Sequence, residues 1–227
     1  MATTSCRSTM VRWPARLLIG AGTASIVGML FHPAAQGDNA EARLHSLAAI
    51  SPLAMHVHLL MVTAVIALWL AMARVARQWP ESDGIWVGTR LYSLGAGAML
   101  GAALISGFLI DGYLARMRPV SVPMENLLPS LALAFAANQA LAGFGMVLMS
   151  LAISAWSLAI LRQRNLWAVV CGIHGLGVGG VCVAAYAGRW LSLDVAGMTA
   201  VVVAHGVWYC LFGLGWLRGT PQRAEPD

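Results

Sequence analysis

His32, His58 and Asp111 are the side chains best suited to chemistry in this 227-residue chain. Imidazole nitrogens and a carboxylate are a workable ligand set for zinc, copper or iron. Each of the three lies near one end of a different apolar segment, at overlapping depth, so three ligands could converge there. His56 is excluded from the same set, because two residues along a helix turn the side chain by about 200°. A little deeper on the same side come Ser106, Asn138 and Gln139, which with Asp111 outline a polar ligand pocket. A plainer reading stands beside the metal: His32-Pro33 ends a helix, His56 meets the headgroups, and His58 is hydrogen-bonded to Asn138 or Asp111.

A second polar level is set by His174 and His205, both within a few ångströms of the bilayer midplane when depth is counted at about 1.5 Å per residue. Two histidines on adjacent helices are an axial pair for haem in a b-type cytochrome. The familiar membrane cytochromes carry such histidines on central helices, whereas the third and fourth segments here contain none. The competing reading is a neutral histidine bonded to a backbone carbonyl or a neighbouring serine.

Other chemistries lack their residues. Asp111 has no second carboxylate at its depth, since Glu125 falls in a loop, and no serine sits in a glycine elbow. The chain has fourteen arginines and no lysine, so a P-loop is excluded. The two late histidines four apart of ceramidase-like zinc hydrolases are absent. Twelve methionines are spread without M-x-x-M clustering, as core residues are. Cys6, Cys171, Cys182 and Cys210 form no C-x-x-C pair, and no disulfide is expected.

These residues are positioned by six apolar segments, approximately Leu17–Phe31, Pro52–Val75, Val87–Ile110, Leu131–Leu161, Leu166–Ala187 and Leu193–Trp216. About 20 helical residues span a hydrocarbon core of about 30 Å. With 59% apolar and 10% charged residues, the chain reads as an all-α, polytopic transmembrane bundle forming one integral domain over residues 1–227. The longest connection is expected from His32 to Ser51. The bilayer is the expected partner; the basic pI reflects scattered arginines rather than a nucleic-acid-binding stripe.

If the spans alternate, Arg7, Arg12, Arg16, Arg74, Arg77, Arg90, Arg162, Arg164, Arg218 and Arg223 share one side, and Arg43, Arg116, Arg118 and Arg189 the other. By the positive-inside rule both termini are cytoplasmic. All-arginine, alanine-rich usage points to a GC-rich bacterium and hence to a multi-pass protein of the inner membrane. The basic start and short first segment also describe a signal peptide, but Phe31-His32-Pro33 is a poor cleavage site and a retained helix is expected.

Small residues at four-residue spacing should mark helix contacts: Gly97 with Gly101, Gly175 with Gly179, Gly215 with Gly219, and Ser150, Ser154 and Ser157 on the fourth span. The glycine-rich first span closing in His32-Pro33, the histidines opening the second, Gly107-Phe108-Leu109-Ile110-Asp111-Gly112-Tyr113 and Gly143-Phe144-Gly145 together resemble small six-span bacterial membrane proteins known only as domains of unknown function. That resemblance implies a helical bundle whose pattern includes His32 and Asp111, and it implies no activity.

Two function classes follow. One is a binding or transport-type membrane protein with a periplasm-facing polar pocket for a small ligand or ion. The other is a membrane redox protein or metal-dependent enzyme that uses haem or a metal at the histidines. The first demands less special chemistry.

Overall fold

The computed structural model describes residues 3–117, 123 and 126–218. Arg118, Glu125, Gly219 and Arg223, and the side chains of Cys6 and Arg7, lie outside what is described. The described chain is helical: α1 (Thr3–Leu30), α2 (Ala40–Ala76), α3 (Asp83–Leu104), a π-helical turn (Ile105–Leu109), α4 (Ile110–Met117), α5 (Leu128–Leu161), α6 (Leu166–Ala187) and α7 (Val195–Arg218). Six helical units are long and apolar enough to cross a membrane, with α3, the π turn and α4 forming the third.

The helix starts are written in side chains. Asn39, Ser82 and Asn165 each accept a hydrogen bond from a backbone N–H three residues on, opening α2, α3 and α6. Before α7, the Gly197 N–H donates to one oxygen of Asp194 and the Ser192 hydroxyl to the other, both at 2.8 Å. Those donors, the Gly197 N–H first, hold the Asp194 carboxyl below its usual pKa.

One boundary differs from expectation. The connection predicted from His32 to Ser51 is short, because α2 already begins at Ala40 and runs straight through Pro52. Asn39 supplies the start signal, and the helix-forming run Ala40-Glu41-Ala42 follows it. Pro52 therefore lies inside a helix rather than at its edge.

Consecutive spans are neighbours and the last returns to the first: α1 packs on α2, α2 on α3, α3 on α5, α5 on α6, α6 on α7, and α7 on α1. In lipid this association has to come from close packing of small residues. At the α1–α7 seam a Cβ on Gly22 would meet the Gly206 carbonyl at 3.1 Å, and one on Gly206 would meet the Gly22 carbonyl at the same distance. At the α3–α5 seam Gly95 and Gly145 approach each other's carbonyls in the same reciprocal way, at 3.0 and 2.9 Å.

The α5–α6 seam pairs the two small-residue stripes expected from sequence, Gly175 against Ser157 and Gly179 against Ser154 and the Ser150 carbonyl. The third-span expectation is corrected in part: Gly101 meets the Leu141 side chain of α5 at 3.2 Å, but Gly97 has nothing within 4 Å of its Cβ position among the described residues, and the closest backbone approaches of α3 are at Gly88 and Gly95, seven residues apart. Gly215 lies against the Trp167 ring. Cys182 and Cys210 stand apart, the first packed with Ala142 and Met146, the second against Thr23 and the Ile19 carbonyl of α1.

The largest fully buried side chains are Trp156, Trp208, Tyr92 and Tyr209. Trp79, from the α2–α3 connection, joins Trp156, Phe212 and Trp216 at ring-centroid distances of 5.1–6.5 Å. Large apolar side chains such as Leu94, Leu133, Ile173 and Val181 are exposed along the spans, as a surface solvated by acyl chains requires.

Candidate functional site

His32 follows α1 directly and His58 stands on α2; their Nε2 atoms are 3.5 Å apart, with rings edge to face. His58 is buried. Its Nδ1–H donates to the Ala54 carbonyl one turn back, at 2.7 Å. That bond fixes the tautomer: the proton is on Nδ1, and Nε2 directs a lone pair at His32. His56 makes the equivalent bond to the Pro52 carbonyl at 2.6 Å, but is exposed and turned away from the pair.

The position of His58 is set by the π turn. In this segment the Ile110 N–H reaches the Ile105 carbonyl, five residues back. A wide turn of this kind inside an α-helix is uncommon and recurs at functional sites. Gly107 sits within it, and a Cβ there would fall 2.6 Å from Cγ of His58, so the imidazole occupies the space glycine leaves. The π turn is tied to the fourth span by Asn138, whose amide donates to the Ala102 carbonyl at 2.7 Å and to the Ser106 hydroxyl at 2.6 Å. Gln139 donates to the Leu193 carbonyl at 3.2 Å and, more weakly, to Oδ1 of Asn138 at 3.5 Å.

Of the residues singled out in the sequence, the structure thus brings His32 and His58 together, and Ser106 with Asn138. Asp111 is half-buried, forms no hydrogen bond among the described residues, and lies close enough for its charge to act on His58. Among the described residues no three His, Cys, Asp or Glu side chains converge on one point. The Asn138 amide bonds the Ser106 hydroxyl and the Ala102 carbonyl and so ties the fourth span to the third.

Burial first, and the neighbouring His58 second, hold the His32 pKa below its ordinary value of 6.5. The His32 ring is therefore neutral at pH 7. Its Nδ1 is buried and meets no hydrogen-bond partner among the described residues. A neutral pair of imidazoles, one with its lone pair already aimed at the other, can share a proton or accept a cation between them.

The deeper histidines engage different groups. His205 is buried on α7 and shares a 3.0 Å hydrogen bond with the Ser150 hydroxyl of α5. His174 on α6 donates through Nε2 to the Ala204 carbonyl at 3.4 Å. Each Nε2 is occupied by protein.

Sequence reading passes over Gly107 as a partner of His58, and over the π turn. The only available signal was that Gly107 adjoins Ser106 in the segment leading to Asp111. Comparison with protein families, with curated proteins and with solved structures finds no match.

Proposed function

We propose that this chain is a multi-pass protein of the bacterial inner membrane that binds a divalent transition-metal ion between His32 and His58, at the periplasmic end of the bundle. The observation that supports this is the 3.5 Å separation of the two Nε2 atoms together with the Nδ1–H bond of His58 to Ala54. Two nitrogens each 2.0–2.1 Å from a tetrahedral zinc stand about 3.3 Å apart, so the observed separation matches that of two zinc ligands once the rings turn to bring both Nε2 lone pairs onto the ion. A backbone carbonyl on the other ring nitrogen is the usual second-shell arrangement of a metal-bound histidine. Asp111 supplies compensating negative charge from the third span. Two protein nitrogens leave other positions to water or to exchanging ligands, which suits reversible ion binding better than a closed structural site.

The reading requires the first span to be retained, since cleavage near Ala35 would remove His32. The test is zinc titration of detergent-purified protein by calorimetry, with N-terminal sequencing of the same sample. One equivalent should bind; His32→Ala and His58→Ala should each abolish it, and Asp111→Asn should weaken it about tenfold, as loss of an outer partner does. Wild-type protein with an intact N-terminus that takes up no zinc, cobalt or copper would overturn the proposal.

A further inference from the structure

At the opposite end of the bundle α5, α6, α7 and the α2–α3 connection enclose a cleft of about 210 Å³. Its floor is apolar, from Ile160, Ala168, Cys171 and Phe212; its walls are the indoles of Trp79, Trp167 and Trp216; its rim carries Gln163, Asn165 and Arg218. Trp167 is fixed by an Nε1–H bond to the Leu211 carbonyl at 2.8 Å, and the Arg218 guanidinium lies 4.7 Å above its ring. The floor is too apolar for a hydrated ion, and the rim is too basic for a neutral hydrocarbon.

The cleft's level identifies its occupant. Helix ends bearing tryptophan and arginine lie at the headgroup region of a bilayer. Among the described residues this end also carries Arg12, Arg16, Arg74, Arg77, Arg90, Arg162 and Arg164, against Glu81 and Asp83. A positive field at headgroup height attracts anionic lipid, and basic pockets between transmembrane helices hold its phosphate. A guanidinium supplies several N–H donors in a planar fork matched to phosphate oxygens.

We infer that this cleft binds an anionic phospholipid, with the phosphate on Arg218 and the first part of an acyl chain between the Trp167 and Trp216 indoles.

Native mass spectrometry of the full chain in detergent, with phosphatidylglycerol or phosphatidylcholine added at equal concentration, tests this. Phosphatidylglycerol should be retained at least tenfold more than phosphatidylcholine. Arg218→Gln should reduce its retention to the phosphatidylcholine level, whereas Arg90→Gln, which removes the same charge from beside Trp86, should not change it. Cys171→Phe, which fills the floor without touching charge, should also reduce retention, checked on protein whose melting temperature is unchanged. Equal retention of the two lipids overturns the inference. So does an equal loss in Arg218→Gln and Arg90→Gln, which would mean diffuse surface charge, and so does equal displacement by millimolar inorganic phosphate, which would mean a soluble-anion site.

Discussion

The two ends of the bundle solve the same problem differently. At the arginine-rich end and into the middle, helices are joined by rings: Trp79, Trp156, Trp208, Phe212 and Trp216 pack edge to face or stacked, and Trp208 adds a 3.1 Å hydrogen bond from its indole to Ser157. At the other end the contacts are polar. His58 lies on Gly107, Asn138 bridges Ala102 and Ser106, and His32 meets His58 with one nitrogen unpaired among the described residues. Ring packing has many small contributions and tolerates small shifts. A hydrogen-bonded cluster in low dielectric depends on each partner, since a buried polar group left alone costs about 1–3 kcal/mol. The first end is built for cohesion, and the second is where a small change in one residue alters what the others can hold.

The difference can be broken most sharply in the aromatic half. Trp156→Ala removes a fully buried indole and should destabilise the protein by about 3–5 kcal/mol, read as a large drop in melting temperature in detergent. Zinc binding in the fraction that remains folded should be unchanged. Gly145→Val, at the closest α3–α5 approach, should cost about 1–3 kcal/mol by the same assay.

Gly107→Ala reverses the pattern. The new methyl displaces the His58 ring, so zinc affinity should fall at least tenfold, about 1.4 kcal/mol, while the melting temperature moves less than in Trp156→Ala. Asn138→Leu removes the donor to the Ser106 hydroxyl and leaves the Ala102 carbonyl with the Ile105 N–H, and should cost about 1 kcal/mol, with a partial loss of zinc affinity.

The smallest effect is one of pH. Because His32 titrates below 6.5, the native state carries fewer protons than the unfolded chain in that window. Its neutral form contributes fully above 6.5, and stability declines as pH falls below that value toward the native pKa. Zinc binding should accordingly persist somewhat below pH 6.5, where free imidazole is already half protonated. A titration midpoint at or above 6.5 would show that His32 is not held neutral by its surroundings.

How much of this was legible from residues alone varies by physical cause. Apolar length gave the six spans, because the bilayer imposes it on every crossing helix. The facing stripes Ser150/Ser154/Ser157 and Gly175/Gly179 were readable because both partners are small at helical spacing. Gly97 misled for the converse reason: smallness permits contact without requiring it, and the α3 face follows the seven-residue step from Gly88 to Gly95, with Ala102 buried a further seven on. Pro52 looked like a boundary because proline lacks one hydrogen bond, and the flanking helix outweighs that loss. Depth placed His32 and His58 together, since depth is additive along a helix. The π turn was not legible, because no residue type demands it; it is fixed by packing among α2, α3 and α5.

The length of α2 decides where its first turns lie. At 37 residues it is about 55 Å long, nearly twice the hydrocarbon thickness. Confining it to about 30 Å would need an inclination near 57°, well outside the 0–40° that membrane helices adopt. Its first turns must therefore stand clear of the acyl region, like a mast raised above a deck. Measured from Ala76, His58 is about 27 Å along that mast, just short of the far waterline. An imidazole at that height is buried among the helices yet lies close to the end of the apolar rod that anchors it.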